Sequence, residues 1–499
     1  MAIASRAMTQ EEATRLFAQG DVQAVIEAAV RATGLPDPTG DVRDGTRTTH
    51  PLTPLGNALR LFDSHGGVLR YLPESRGWLR WEDGRWVRDN EGAAVRELAA
   101  GLPTRIYGEG KDQDYQRNIE AFARWARKSG ERSTIHDAVA LLADRGDMRV
   151  SMAALDANTW LCGMNGGRQV LDLKTGQARP ATQGDYVTKT LGVACVGDAL
   201  RCPTWVRFID DVMGGDKEVT AWLQRFCGYL LTGSTQEQIM LFCHGIGANG
   251  KSVFVDVLAR VLGDYAQPLE SEALVDHQRA AGAASPHLAA LRGARMAFAS
   301  ETSQGMPMAE GLVKSLTGGD VLQCRELYGK PFEFTPRFKL LICGNHKPLI
   351  SGTDNGIWRR MRLLPFSRVF APNERDPHLT AKLLGEAEHI LAWVLEGCLA
   401  WQREGLADVP SRIQAETAQY QQDMDTLGEW IRDCCTVSES VKSSTRLLYQ
   451  SYTLWAEESG LRRMSMQAFG RQLTERGFKE WRSKTARGRM GLKATQVQP

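Results

Sequence analysis

Five consecutive apolar residues, Ile239 to Cys243, run into Gly245-Ile-Gly-Ala-Asn-Gly-Lys251-Ser252, which satisfies GxxxxGK[ST]. A short apolar run of this kind reads as a strand buried on both faces. Beyond Ser252, positions Val253, Phe254, Val257, Leu258, Val261 and Leu262 recur at helical spacing until Gly263 ends the run. Strand, glycine loop and helix in that order leave few alternatives. Glycines let successive backbone N–H groups turn toward one point, and the helix that follows adds the partial positive charge of its N-terminus. A lysine there neutralises terminal phosphates, and the next hydroxyl is available to Mg2+. The spacing predicts that Gly245, Gly247, Asn249, Gly250, Lys251 and Ser252 bind ATP, with Mg2+ carried in on the nucleotide.

A hydrolytic site also needs a carboxylate at the end of a neighbouring strand. Arg295-Met-Ala-Phe-Ala-Ser-Glu301 supplies one about fifty residues further on, so Glu301 is the candidate to orient water and complete the metal's shell. Three runs then follow in order. They are Leu312-Val-Lys314-Ser-Leu-Thr-Gly-Gly-Asp320, Arg325-Glu-Leu-Tyr328-Gly-Lys330-Pro-Phe-Glu-Phe334, and Phe338-Lys-Leu-Leu-Ile-Cys-Gly-Asn345-His-Lys-Pro348.

This ordered series resembles the superfamily III helicases, and more narrowly the poxvirus, phage and plasmid primase-helicase family. Upstream, Asn165-Gly166, Leu171 to Gly176, Cys202-Pro-Thr-Trp205 and Leu223 to Gly233 are similar to the domain that precedes the ATPase in that family. The resemblance therefore runs from about Gly56 to Lys493. It implies an α/β fold in which a P-loop AAA+-type core with a parallel central sheet follows a mixed α+β domain and precedes a winged helix. The expected boundaries are 1–54 for an N-terminal helix and linker, 55–233 for the α+β domain, 234–425 for the ATPase and 426–499 for the winged helix.

By the same resemblance Asn345 would sense the γ-phosphate. The segment Asp354-Asn-Gly-Ile-Trp-Arg359-Arg360-Met-Arg362 would lend an arginine finger to the adjacent subunit, with Arg360 the first choice and Arg359 the second. Lys251, Glu301, Asn345, Arg360 and Arg359 thus form the candidate catalytic set, and Ser252 and Glu301 the candidate metal set. A finger given in trans implies a ring, a hexamer by family analogy. Between the central strands, Val321 to Phe334 reads as a hairpin with Tyr328-Gly-Lys330 near its tip. In the resembling family such a hairpin grips DNA phosphates, which makes Lys330, Arg325 and Lys314 candidates. Ser300 stands where many of these helicases carry a second acid, so Glu301 would serve both metal and water. The residues before Gly56 leave too little room for a primase domain.

Charge distribution points the same way. Net charge is only +2, but from Arg462 to Lys493 ten Lys/Arg face two Glu, a local +8. Arg471, Arg487 and Arg489 in this stretch are candidate DNA contacts on a helix and wing. Elsewhere, Gly77 to Asp89 reads as a hairpin turning at Asp83-Gly84 and flanked by Trp81 and Trp86, and 168–180 as a second around Lys174-Thr-Gly176. Tryptophan and arginine interleaved could stack on bases, but cross-strand packing is the commoner use.

No apolar run reaches the ~20 residues a bilayer crossing needs. With no secretory stretch at the N-terminus, the cytoplasm of a host cell is expected. The ten cysteines form no CxxC pair, so free thiols are expected and no metal beyond the nucleotide's. These readings converge on an ATP-dependent DNA helicase or translocase of a phage or plasmid-like replicon. Its expected partners are single-stranded or forked DNA, further copies of itself, and a separate primase or polymerase. An origin-binding initiator with little unwinding is the alternative. A primase-polymerase ranks third, since it rests on Asp112-Gln-Asp114 alone, a spacing that chance supplies in a chain with 59 acidic residues.

Overall fold

At Asp83 and Gly84 the backbone takes φ of +50° and +88°, and two tryptophan-bearing strands fold back on each other there. Consecutive positive-φ residues match the right-handed twist of a hairpin, which is why Asp-Gly is favoured at such turns. The computed structural model describes residues 50–110, 119–275, 286–300, 307–325, 331–350, 355–461, 463–482 and 487–495. The expected N-terminal helix, Asp112, Asp114, Glu301, Tyr328, Lys330 and Asp354 lie outside the described residues. The chain forms two compact units, Met1–Leu171 with Ala178–Thr190, and Asp172–Gln177 with Leu191–Pro499.

In the first unit, β1 (Leu69–Leu72), β2 (Gly77–Glu82) and β3 (Arg85–Asp89) make an antiparallel sheet. Trp81 lies opposite Trp86, with ring centroids 5.4 Å apart and edge to face. Trp86 is buried, and its Nε1–H donates to the Gln183 carbonyl at 2.9 Å. This pair is cross-strand packing, not a platform for bases. A second sheet takes β4 (Leu161–Met164), β5 (Gln169–Asp172) and β6 (Gln177–Pro180); Gly176, at φ +75°, lies in the expected turn, whose residues Asp172–Gln177 are assigned to the second unit. Helices at 54–65, 93–100, 102–109, 119–129 and 132–143 carry a shared core that includes Leu59, Leu61, Ile106, Phe122 and Leu142. Arg60 is wholly buried on one of those helices. Its guanidinium donates to both Glu109 oxygens and to the carbonyls of His50 and Pro51, which is what makes a buried charge tolerable.

The second unit is built on a parallel sheet of five strands. β7 (Met240–His244), β8 (Ala266–Pro268), β9 (Met296–Ser300), β12 (Lys339–Gly344) and β13 (Met361–Pro365) lie in the order β13-β7-β12-β9-β8. Such a mixed α/β arrangement is consistent with a P-loop-like core. Helix Lys251–Leu262 follows β7 directly, as the spacing predicts. Helices Lys217–Leu231 and Ala387–Glu404 pack lengthwise on each other. Between β9 and β12 the chain forms helix Glu310–Gly318 and an antiparallel hairpin of β10 (Leu322–Arg325) and β11 (Pro331–Phe334), where the sequence places one.

Two buried cations tie helix 217–231 to the amino edge of this sheet. Arg295 and Lys339, just before and at the start of β9 and β12, donate to the carbonyls of Leu231 and Thr232 at the helix C-terminus. They also lie over the rings of Tyr265 and Tyr229, at 4.7 and 4.6 Å from the centroids. Positive charge complements the negative end of the helix, and the aromatic faces add cation–π attraction. Lys339→Ala removes the charge and leaves buried carbonyls and a cavity. We expect a loss of about 3 kcal/mol, read as a lowered thermal midpoint of the unit; an unchanged midpoint would show that the contact contributes nothing.

The C-terminal part has helices Thr426–Cys434, Thr445–Glu458 and Met466–Glu475, and a sheet of β14 (Cys435–Ser444), β15 (Glu480–Arg482) and β16 (Arg487–Ala494) in the order β14-β16-β15. Leu427, Trp430, Leu448, Tyr452, Phe469, Leu473 and Leu492 form its core. Ser444 and Ser465 cap two of the helices by accepting from Leu447 N and Ala468 N. β14 has no counterpart in the sequence reading. Its residues Thr-Val-Ser-Glu-Ser-Val-Lys-Ser-Ser are mostly polar and none is buried, so no apolar alternation marks it.

Candidate nucleotide site

The pairing registers set four carboxyl ends level. His244 of β7 lies opposite Gly344 of β12 and Pro365 of β13, and Cys343 lies opposite Ser300 of β9. After β7 the next strand in sequence, β8, is at the far edge, so the chain leaves the middle of the sheet and a crevice opens beyond β7 and β12. In open parallel sheets that is where ligands bind.

The loop out of β7 occupies this crevice. Gly247, Ala248 and Gly250 have φ of +68°, +48° and +87°, so the backbone turns tightly on both sides of Asn249, and Gly247 N donates to the Gly245 carbonyl at 3.1 Å. Ala248 is unusual for a residue with a Cβ, and its carbonyl is held by Phe370 N at 2.9 Å. The glycines serve different ends. A Cβ on Gly247 would meet nothing within 4 Å, whereas one on Gly250 would stand 2.8 Å from Val212 Cγ1. Gly250 is thus needed for close approach to helix Pro203–Val212 as well as for its φ.

Lys251 opens the helix and is 6% exposed. Its ammonium donates to the Gly245 carbonyl at 2.6 Å, Asn249 Oδ1 at 3.0 Å and Asn345 Oδ1 at 3.1 Å. Three protons and three acceptors hold the charge at the mouth of the loop. Burial pulls this amine below the usual lysine range, and Cys343 and Cys243 beneath it pull the other way. Asn249 Nδ2 donates to the Phe366 carbonyl at 3.2 Å, which joins the loop to the end of β13. Asn345 is exposed just past β12, and Ser252 is exposed in the first turn of the helix. The residues fit a triphosphate. There is a glycine-turned N–H array, a buried lysine at its mouth, a hydroxyl in the first helical turn, and an amide from the adjacent strand.

The other candidates lie elsewhere. Arg359 and Arg360 precede β13 at its amino end, and β13 runs parallel to β7, so they stand at the opposite edge of the sheet from the loop. Five residues at ~3.3 Å each put about 16 Å between the two edges. Arg359 is exposed, whereas Arg360 is 8% exposed and bonded internally. Lys314 is half-buried on helix 310–318, and Arg325 is exposed at the end of β10. Arg471 and Arg487 are exposed, the former 3.8 Å from Glu475.

Arg489 does not present its charge to solvent. It is 3% exposed, donates to Thr474 Oγ1 and to the carbonyls of Gly470 and Phe478, and pairs with Glu480 at 3.0 Å, so it fastens β16 to helix 466–475. Sequence reasoning missed Phe208, Val212 and the Phe366 carbonyl. The first two read only as core positions, and a carbonyl acts through the backbone, for which no residue type is a signal.

Comparison with known proteins finds three family matches along the chain. Residues 58–214 match the family model "D5 N terminal like", and residues 422–497 match "Poxvirus D5 protein-like". Residues 243–360 match a family of unknown function, DUF5906. Among curated proteins, a candidate helicase of Acanthamoeba polyphaga mimivirus is 23% identical over 414 residues, 76% of this chain and 43% of the relative.

The chain belongs to the D5-type primase-helicase family.

Other relatives of the D5-type chain are a candidate helicase of Frog virus 3, 30% identical over 44% of this chain and 24% of its own length, and a candidate primase of African swine fever virus, 24% identical over 47% and 26%. The chain spans less than half the length of these relatives. The C-terminal region of NrS-1 is a similar solved structure, with a TM-score of 0.49 and 11% identity over 88% of this chain and 99% of that one. Among the described residues no helix is long and apolar enough to cross a membrane.

Proposed function

We propose that the chain is an ATP-driven DNA motor of replication that hydrolyses at sites completed by a neighbouring copy. One observation carries the reading: Lys251 sits in a glycine-turned cradle beside Asn345 at one edge of the sheet, while exposed Arg359 stands at the other. An arginine so far from its own cradle is placed to reach a neighbouring subunit's nucleotide and not its own. Arg359 therefore replaces Arg360 as the first candidate for the finger.

In this reading Gly245, Gly247, Asn249, Gly250 and Lys251 hold the phosphates, Asn345 senses the γ-phosphate and Glu301 orients the lytic water. Ser252 and Glu301 hold Mg2+, which supplies charge neutralisation at the transferring phosphoryl group. Copies assemble as a ring, a hexamer by analogy with the family. Arg325, Lys330 and Lys314 contact DNA phosphates near the hairpin. The C-terminal three helices and three strands act as a winged helix with Arg471 and Arg487 on DNA; Arg489 is structural. The relatives named for helicases and a primase support replication as the setting, with a primase or polymerase as partner.

Strand displacement tests this. Purified chain with ATP and Mg2+ is expected to separate a forked duplex, with hydrolysis stimulated by single-stranded DNA. Tight duplex binding with slow turnover and no displacement would favour the origin-binding initiator, which the basic C-terminal part also suits.

A further inference from the structure

Buried Arg360 joins three elements at the amino edge of the sheet. Its Nε donates to Thr317 Oγ1 at 3.1 Å, and its terminal nitrogen to the Gly356 carbonyl at 2.6 Å. Its own carbonyl accepts from Met240 N of the phosphate-loop strand at 2.8 Å. Thr317 spends its proton on the Val313 carbonyl at 2.7 Å, which leaves its oxygen as a dedicated acceptor for the guanidinium. The position is also electrostatically apt, since Thr317 is in the last turn of helix Glu310–Gly318 and a cation there meets the negative end of the helix.

Both partners lead somewhere. Gly319, at φ +81°, ends the helix, and β10 begins at Leu322, so Thr317 is only a few residues from the hairpin stem. Val313, Leu316, Leu322 and Cys324 are buried in one core, which makes helix and stem a single rigid piece. Gly356 belongs to the short helix Asn355–Trp358 that immediately precedes Arg359. Ile357 and Trp358 of that turn are buried in the same core, with Trp358 edge-on to Tyr420 at 5.2 Å.

We infer that Arg360 is a positioning residue that couples the hairpin stem, through Thr317, to the turn bearing Arg359 and to the phosphate-loop strand of its own subunit. This rests on the motor reading above, and it gives the paired arginines separate tasks. Arg359 reaches a neighbour's nucleotide. Arg360 transmits the hairpin's position to the base of Arg359, so that DNA in the hairpin alters hydrolysis next door. Arginine suits the task because its planar fork spans two acceptors at once, whereas a lysine ammonium in its place cannot reach both.

The test uses full-length protein and two variants. Thr317→Val keeps the shape of the side chain and removes the acceptor. It is expected to fold and to melt a few degrees below the wild type, because the buried Arg360 Nε–H loses its acceptor, and to keep hydrolysis without DNA, yet to lose stimulation by single-stranded DNA by about tenfold, a typical size for a coupling between sites. Full stimulation in Thr317→Val would overturn the coupling. Arg360→Lys is mixed with Lys251→Ala subunits, whose intact Arg360 and Arg359 serve the neighbouring loop. Recovered DNA stimulation in the mixture is the expected result, and a loss that persists there would confine the effect to one subunit and overturn the transmission next door. Turnover without DNA by Arg360→Lys alone as low as that of Arg359→Ala would make Arg360 a finger instead.

Hydrogen exchange gives a readout independent of turnover. Amides of 310–325 are expected to exchange faster in Thr317→Val than in wild type, and equal rates would overturn the link even in a protein that hydrolyses nothing. Absence of ATPase in wild type with faster exchange in the variant would instead remove the motor reading and leave the link standing.

Discussion

Lys251→Ala is expected to abolish nucleotide binding and every nucleotide-dependent activity while the chain stays folded. The side chain is the cradle's only ammonium among the residues described around it, and its three acceptors place the charge at the loop mouth. Alanine removes at least two charge-assisted bonds to phosphate, each worth about 1.5–3 kcal/mol, so affinity should fall by more than about a hundredfold. Binding of a fluorescent ATP analogue measures this directly. The thermal midpoint without nucleotide should change little, because the freed acceptors are the Gly245 carbonyl and the amide oxygens of Asn249 and of exposed Asn345, which water at the loop mouth can reach. Binding within a factor of a few of wild type would remove the phosphate cradle from the account.

The second large effect is expected at Arg359. Arg359→Ala should bind nucleotide normally and lose turnover by ~10³ to 10⁵, the worth of an arginine finger in related phosphoryl transfers. The geometry makes a sharper forecast than the magnitude. Since Arg359 is about a strand's length from its own loop, the defect must appear in the neighbour's site. Arg359→Ala and Lys251→Ala chains are each inactive alone, but a mixture should regain activity wherever a Lys251→Ala subunit lends its arginine to an intact loop. Normal turnover by Arg359→Ala, or a mixture as inactive as its parts, would exclude a shared site.

How much of this was readable beforehand varies with the kind of signal. The loop at Gly245 to Ser252, the strand before it and the helix after it were legible because each uses a different physical rule, namely burial, glycine dihedral freedom and helical periodicity, and all three agree. Asn345 was named from resemblance, and the structure brings it to 3.1 Å from Lys251. The Trp81–Trp86 hairpin was legible from Asp83-Gly84, and its use as packing followed from the burial of Trp86. Arg489 shows the limit of counting charge. It adds to the basic total of the C-terminal stretch, yet Gly470, Thr474, Phe478 and Glu480 hold its two terminal nitrogens. Its neighbour in sequence, Arg487, is exposed.

The paired arginines draw the line most clearly. Arg359 and Arg360 lie in the turn between helix Asn355–Trp358 and β13, where one is exposed and the other buried. The sequence alone marked the glycine loop between a strand and a helix, the residues that compose it, and the arginine pair of 359 and 360. Which arginine faces outward, that Thr317 waits for the other, and that Phe208 and Val212 close over Gly250 were decided only by tertiary packing. Those contacts join residues far apart in the chain, and no local pattern of residue types encodes a distance between elements that meet only when the sheet has formed.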